Sequence, residues 1–335
     1  MINKETKFLV VGLGLLGGSY AMGLKQEGYT VYGLARRQET IDYALEHNII
    51  DQGQIEVDDF VSKADVILFG LYPTAMVKWI QKYKHLIKNH TLISDVSGVK
   101  TNIVDVIQEE LKDRDIEFIS CHPMAGKETS GIEYANTEMF KKANFIITPT
   151  EKNSKKAIEF CHDMAYTLHF NHIAILTIEQ HDRMIAFLSQ LCHVIAVSLM
   201  NTHDNSHLVE YTGDSFRDLT RIAQINENMW SELFLLNKDI LLDEINQFID
   251  SISHFRDALQ SEDEDEMKRL FIQSTQRRKA FNKKDSKEGI TRYLNYIVLN
   301  IHLRNESFPL KNHCCIFFYR KPASRHYNLQ IDNSF

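Results

Sequence analysis

A chain of 335 residues, 44% hydrophobic and 25% charged, is long enough for two domains with real cores and too apolar to be a disordered or fibrous protein. Its formal net charge of -7 argues against a general electrostatic grip on nucleic acid or on an anionic membrane, and favours a small-molecule partner. Five cysteines (Cys121, Cys161, Cys192, Cys314 and Cys315) form no C-x-x-C pair and are odd in number, so they read as reduced thiols rather than as disulfides or zinc ligands.

The N-terminal stretch MINKETKFLVVGLGLLGGS is apolar but broken by glycines, too short for a membrane span and without a signal-peptide cleavage site, which predicts a cytoplasmic protein. From residue 7 to about 150, β-rich runs alternate with amphipathic helical stretches. The candidate strands are KFLVVGL, YTVYGLA, ADVILFGL, HTLISDV, IEFISC and ANFIITPT. Strands separated by helices predict a parallel sheet covered on both faces, a Rossmann-type α/β domain over residues 1–176 that includes one more helix, Ser154 to Leu168, and the short run HIAILT.

The first strand runs into Gly12, Gly14 and Gly17, spaced G-x-G-x-x-G around Leu15 and Leu16, at the start of a helix. The first glycine allows a tight turn, the second lets the backbone approach a pyrophosphate, and the third lets helix and strand pack. The helix N-terminus favours the negative charge, so this segment predicts dinucleotide binding. At the end of the second strand, where an acidic side chain usually accepts hydrogen bonds from the adenosine ribose, Ala35 is followed by Arg36 and Arg37. No carboxylate repels a 2′-phosphate there and two cations are at hand, so NADP is expected over NAD.

After residue 176 the pattern changes to helix after helix, giving an all-α domain over 177–283. Ile185, Leu188, Cys192, Ile195 and Leu199 follow helical spacing, as do Leu242, Ile245, Ile249, Ile252 and Phe255. Few elements remain to cover such stripes, which predicts a homodimer. In SEDEDEMKR, Ser261 and Glu264 have the spacing of a capping box at a helix start. The tail, 284–335, offers two strand-like runs, YIVLNIHL and CCIFFYR; it is too short for a usual domain, and loose packing with no catalytic part is expected.

Three further segments carry polar residues in a telling order: ISDVSGVK, SCHPMAGKETSG and FRDLTRIAQINENMW. The first two end strands, where open α/β sheets bind ligands. Behind this glycine turn they resemble the prephenate and arogenate dehydrogenase family of tyrosine biosynthesis, over roughly residues 7 to 282, with HPMAG-x-E-x-SG the most specific part. The resemblance implies oxidative decarboxylation of a cyclohexadienyl substrate, with hydride passing to the nicotinamide. It implies that His122 accepts the hydroxyl proton, a task suited to a neutral imidazole. It further implies that Arg221 holds a substrate carboxylate, with Asp218 on the same helical face to orient it, that His193 touches substrate from the helical domain, and that Glu128 is a polar group near the site. Trp230 is expected to pack beside the site.

The sequence departs from the family at two places. The family's D-x-x-S-x-K becomes Asp95-Val96-Ser97-Gly98-Val99-Lys100, which puts Ser97 one residue early and glycine in the serine's slot. In SQLCH, Gln190 and Cys192 stand where the family has S-H-L-P-H. Ser97 is kept as a candidate catalytic residue beside His122. Arogenate in place of prephenate, or a non-catalytic NADP(H) sensor, are the alternative readings, and no metal is expected.

Overall fold

The computed structural model describes residues 2–126, 129–203 and 206–280, which belong to one compact unit, Met1–Asp285. The expectations for the 284–335 tail lie outside the described residues, as does Glu128.

Six strands form a parallel sheet: β1 (Lys7–Val11), β2 (Thr30–Leu34), β3 (Gln52–Gln54), β4 (Val66–Phe69), β5 (Leu92–Asp95) and β6 (Glu117–Phe118), in the order β3-β2-β1-β4-β5-β6. Helices α1 (Leu15–Gln26), α2 (Gln38–Glu46), α3 (Pro73–Tyr83) and α4 (Val104–Glu110) make the crossovers. Side chains alternate across a strand. Phe8, Val10, Val31 and Leu68 therefore join one core, and Leu9, Val11, Ile67 and Phe69 join the other. Both faces are covered, so these strands read as unbroken apolar runs. The short polar strand β3, Gln-Gly-Gln, has no such run and escaped the sequence reading.

One expected strand is divided. IEFISC supplies β6 and then, past Ile119, the start of β7 (Ser120–Pro123), which leaves the first sheet for a second made of β7, β8 (Asn144–Thr148) and β9 (His172–Ile175). There β7 pairs antiparallel to β8, with His122 opposite Ile146, so the sheet system is not parallel throughout as expected. The two sheets are tied at the crossing, where the Ile119 amide donates to the Ile93 carbonyl at 3.0 Å and the Ser120 hydroxyl to Asp95 at 2.6 Å. Between β8 and β9 lies α5 (Lys155–Thr167), where the sequence places a helix, and the Ser154 side chain caps it by accepting from the Ala157 amide.

The rest is helical: α6 (Ile178–Ile185), a π turn (Ala186–Gln190) that continues into α7 (Leu191–Met200), α8 (Asp214–Thr220), α9 (Glu227–Leu236), α10 (Lys238–Gln260) and α11 (Glu264–Ala280). The capping box expected at Ser261 and Glu264 is not formed. Ser261 donates to the Asp257 carbonyl at 2.8 Å and so finishes α10, while Asp263 caps α11 by accepting from the Glu266 amide at 2.9 Å. Of the predicted stripes, Ile185 is buried, but Leu188, Leu242, Ile249, Ile252 and Phe255 are exposed on the single chain. Exposed apolar side chains on neighbouring positions of one long helix form a patch of the kind that marks an interface.

Candidate active site

The glycine turn has the geometry its spacing implies. Gly12 sits at a φ of +95°, and a Cβ there would lie 2.7 Å from the Gly70 carbonyl oxygen at the end of β4. A Cβ on Gly17 would lie 1.9 Å from the Gly12 carbonyl, so α1 packs this close to the turn only without a side chain. A Cβ on Gly14 would meet nothing within 4 Å, which leaves room for a ligand. Gly14 caps α1 without a side-chain bond, and the first turn, with Leu15 and Leu16, holds no acidic residue. Free helix N–H groups facing open space fit a pyrophosphate, so these residues suit a dinucleotide. Beyond β2, Arg36 and Arg37 are exposed at the entrance to α2.

The strand-end loops assemble a polar network around His122. Asp95, at the end of β5, accepts from the Ser120 hydroxyl (2.6 Å), the Cys121 amide (3.0 Å), the Ser97 amide (3.0 Å) and Lys100 Nζ (3.2 Å). Lys100, wholly buried, also donates to the Cys121 carbonyl at 2.7 Å. A buried ammonium needs such partners, because an unpaired charge in a low-dielectric interior is strongly disfavoured. The residue before His122 is thereby held at both its amide and its carbonyl.

His122 itself is oriented from the helical domain. Its Nδ1 lies 2.9 Å from Nε2 of His181, and His181 Nδ1 lies 2.6 Å from Oδ1 of Asp182. Asp182 in turn accepts from the amides of Lys100 (3.1 Å) and Thr101 (2.7 Å). The proton positions follow from valence. A carboxylate only accepts, so His181 donates through Nδ1, its Nε2 must accept, and His122 donates through Nδ1. The Nε2 of His122 is left with its lone pair, and a Cβ built on Gly98 would lie 3.8 Å from it. A base oriented by a second group, itself held by a carboxylate, is the logic of a catalytic triad.

The protonation states agree. Burial, then the charges of His181 and Lys100, holds His122 well below the ordinary imidazole value of 6.5. Burial also lowers His181, against the opposing pull of its hydrogen bond to Asp182. For Asp182 burial acts upward, but the hydrogen bonds from His181 and Thr101 outweigh it and the carboxyl titrates below 3.8. His122 is therefore a neutral base near pH 7.

Ser97 does not reach His122. Its hydroxyl donates to Asp95 and lies 3.2 Å from the Val99 carbonyl and 3.3 Å from Lys100 Nζ, so it belongs to the network behind the base. The one-residue shift has the effect its position implies: the slot facing His122 belongs to Gly98, which carries no hydroxyl.

In the helical half, His193 lies on α7 with Nδ1 2.9 Å from the Ser189 carbonyl and its ring over Trp230 of α9, with centroids 3.7 Å apart. Trp230 thus packs against a site candidate, as expected. Arg221 is exposed at the start of a 3-10 turn, Arg221–Ala223, directly after α8. Asp218 is exposed on α8, and among the described residues the ion pair within that helix is Arg217 with Asp214 at 3.4 Å. Two residues of the relay, His181 and Asp182, escaped the sequence reading, although a signal exists. Thr177 and Gln180 form a capping box that fixes the start of α6, and with that start His181 falls one turn before the core residue Ile185.

A doubly wound sheet with a glycine turn at its first crossover, joined to a helical domain that completes a histidine-centred site at the strand ends, defines a nicotinamide-dinucleotide-dependent dehydrogenase of two-domain design. The comparisons agree with this class. Residues 20–170 match the family model for the prephenate dehydrogenase nucleotide-binding domain, and residues 177–273 match that for the prephenate dehydrogenase dimerization domain. The chain is 31% identical to the prephenate dehydrogenase of Bacillus subtilis over 80% of this chain and 74% of that one. It is 28% identical to the cyclohexadienyl dehydrogenase of Zymomonas mobilis over 81% of this chain and 94% of that one. A crystal structure of prephenate dehydrogenase from A. aeolicus, in complex with hydroxyphenyl propionate and NAD+, superposes with a TM-score of 0.78 at 26% identity, covering 84% of this chain and 100% of the other. The chain belongs to the prephenate dehydrogenase family.

Proposed function

We propose that the protein converts prephenate to 4-hydroxyphenylpyruvate by oxidative decarboxylation, in tyrosine biosynthesis, as a cytoplasmic homodimer that prefers NADP. The observation that carries this reading is the relay Asp182–His181–His122, which leaves His122 Nε2 as an uncharged base at the strand ends.

The glycine turn with Leu15 and Leu16 holds the pyrophosphate, and Arg36 and Arg37 pair with a 2′-phosphate. The bound nicotinamide supplies the hydride acceptor. His122 Nε2 takes the proton of the ring hydroxyl as hydride leaves the same carbon, the carboxylate on the ring carbon opposite leaves as carbon dioxide with its bonding electrons completing the aromatic ring, and the proton then returns to the phenolate oxygen. His181 accepts the hydrogen bond of the imidazolium so formed, and the Asp182 carboxylate offsets its charge. Arg221 binds a substrate carboxylate, and His193 contacts substrate from α7. By the family resemblance Asp218 orients Arg221 and Glu128 is a polar group near the site, while Ser97 acts by holding Asp95 and Lys100 in place. The bare Gly98 lets the substrate hydroxyl approach Nε2 without a competing side chain.

The homodimer reading rests on the exposed face of α10, where Ile249 and Ile252 are each just over half exposed (52% and 53%), together with the match to a dimerization domain. The helix Ile178–Met200 is apolar and long enough to cross a membrane by composition alone. Its buried His181–Asp182 end, engaged with the nucleotide domain, supports a soluble placement instead.

The test is formation of reduced cofactor by the purified protein with prephenate and arogenate, each with NADP and NAD. Turnover of prephenate with NADP is expected. Turnover of arogenate alone would reassign the substrate, and NADP binding without turnover of either would refute the enzyme reading. Replacing His122 by Asn should lower turnover by about 100-fold or more, as for loss of a general base.

A further inference from the structure

The helix that supplies both His181 and His193 is not a regular α-helix. Its middle, Ala186–Gln190, is a π turn in which the Leu191 amide reaches back to the Ala186 carbonyl. A π turn takes in an extra residue and is less favourable than α, so something must hold it. His193 follows His181 by twelve positions. At about 100° per residue a regular helix would place the two about 120° apart, on different faces. One extra residue in the turn sets the later part back by about 100°, which leaves the two histidines about 20° apart.

Their partners agree with a shared face. His193 stacks on Trp230, while Leu233, three residues on along α9, lies 3.7 Å from the position of a Gly98 Cβ, beside His122. Both contacts come from one side of α9.

Two buried amides bracket the π turn. Asn237, between α9 and α10, donates through Nδ2 to the Asp182 carbonyl at 3.0 Å and to Gln190 Oε1 at 2.8 Å. Gln190, the last residue of the π turn, donates to the Leu233 carbonyl at 3.0 Å. The orientation is forced, because both neighbours of the Asn237 nitrogen are acceptor oxygens. The cost is that Asn237 Oδ1 is buried with no hydrogen-bond partner among the described residues. An apolar residue would avoid that cost, so the position is occupied for its two donations. The Cys192 thiol lies 3.5 Å from the Leu188 carbonyl and so adds a weak bond at the same turn.

We propose that Gln190 and Asn237 are positioning residues that hold the π turn in place and thereby set His193 on the substrate face alongside His181. The proposal rests on the reading of His193 as a substrate contact. It assigns a task to Gln190 that does not involve touching the substrate, since its amide is turned to Asn237 and Leu233.

The experiment uses full-length protein carrying Trp79→Phe, so that Trp230 is its only tryptophan, with Gln190→Met and Asn237→Leu compared against that parent. Without substrate, the emission of Trp230 should change in both variants as the His193 ring leaves it. With substrate, the KM for prephenate should rise about tenfold or more while the KM for the cofactor stays within about twofold, the split expected when a substrate contact alone is lost. Unchanged Trp230 emission and unchanged KM in soluble Gln190→Met would overturn the proposal. So would a parallel loss for both substrates, which a merely structural role predicts. Should Asn237→Leu not fold, Gln190→Met decides alone. A parent that binds cofactor but turns over nothing refutes the proposed function, and the Trp230 emission then still decides the role of the turn.

Discussion

Replacing Asp182 by Asn tests the relay at its anchor. The carboxylate accepts from His181 at 2.6 Å, from the Thr101 amide at 2.7 Å and from the Lys100 amide at 3.1 Å. The backbone amides cannot rotate away, so the single oxygen of the new amide must serve them, and its NH2 then faces His181 Nδ1. That nitrogen can only accept, which moves the His181 proton to Nε2 and makes it a donor to His122 Nδ1. The His122 proton is forced onto Nε2, the atom that must receive the substrate proton. The variant therefore keeps its shape and loses its base. General-base catalysis contributes about 10²–10⁴-fold, so kcat should fall by that factor, about 3–5 kcal/mol of transition-state stabilisation. A serine-protease triad with the same change to its aspartate loses about 10⁴-fold by the same tautomer inversion. The assay is kcat at saturating substrate and cofactor, alongside thermal unfolding to establish that the variant is folded. A folded Asp182→Asn protein with kcat within about threefold of the parent would refute the relay.

Other consequences follow from the same network and from the surfaces around it. His122 and His181 titrate below 6.5 in the folded protein, so below that pH the unfolded chain takes up protons the folded one refuses. Stability should therefore be full above about pH 6.5 and decline as the pH falls toward the folded values, by up to about 1.4 kcal/mol per pH unit for each histidine; urea unfolding at pH 7, 6 and 5 measures this, and a flat profile contradicts the assigned shifts. Lys100→Met strands Asp95 without its cation in the interior, and a loss of about 3–5 kcal/mol in the same unfolding assay is expected. The double change Arg36→Ala and Arg37→Ala should raise the KM for NADP at least tenfold, on the order of one charge-assisted hydrogen bond, and leave that for NAD within about twofold; equal effects on both cofactors would remove the argument for NADP. Ile252→Asp places a charge on the exposed apolar face of α10, and sedimentation should show the dimer replaced by monomer, whereas an unchanged dimer would move the interface elsewhere.

Much of this protein is written locally. The alternation of apolar runs and helical stretches determined the doubly wound sheet, since Phe8 and Leu9 need opposite cores whatever follows them. The spacing of Gly12, Gly14 and Gly17 determined the phosphate turn, because backbone sterics at those positions admit no side chain of any kind at Gly12 and Gly17. His122 was legible from its neighbours in SCHPMAGKETSG. The tertiary structure alone decided what that histidine can do. Its Nδ1 meets His181 across a separation of 59 residues, and no local pattern encodes a distance between two domains. The same holds for Ser97, whose sequence position beside the site says nothing about which way its hydroxyl turns; Asp95 and Lys100, buried and in need of partners, draw it inward. It holds again for α6, the π turn and α7, where Ile185, Leu188, Cys192, Ile195 and Leu199 make one stripe at regular spacing, while the chain buries Ile185, leaves Leu188 exposed and interrupts that spacing with the turn at Ala186–Gln190. Local sequence sets which conformations a segment can adopt, but partners brought in from distant segments fix the proton on His122 and the face on which His193 lies.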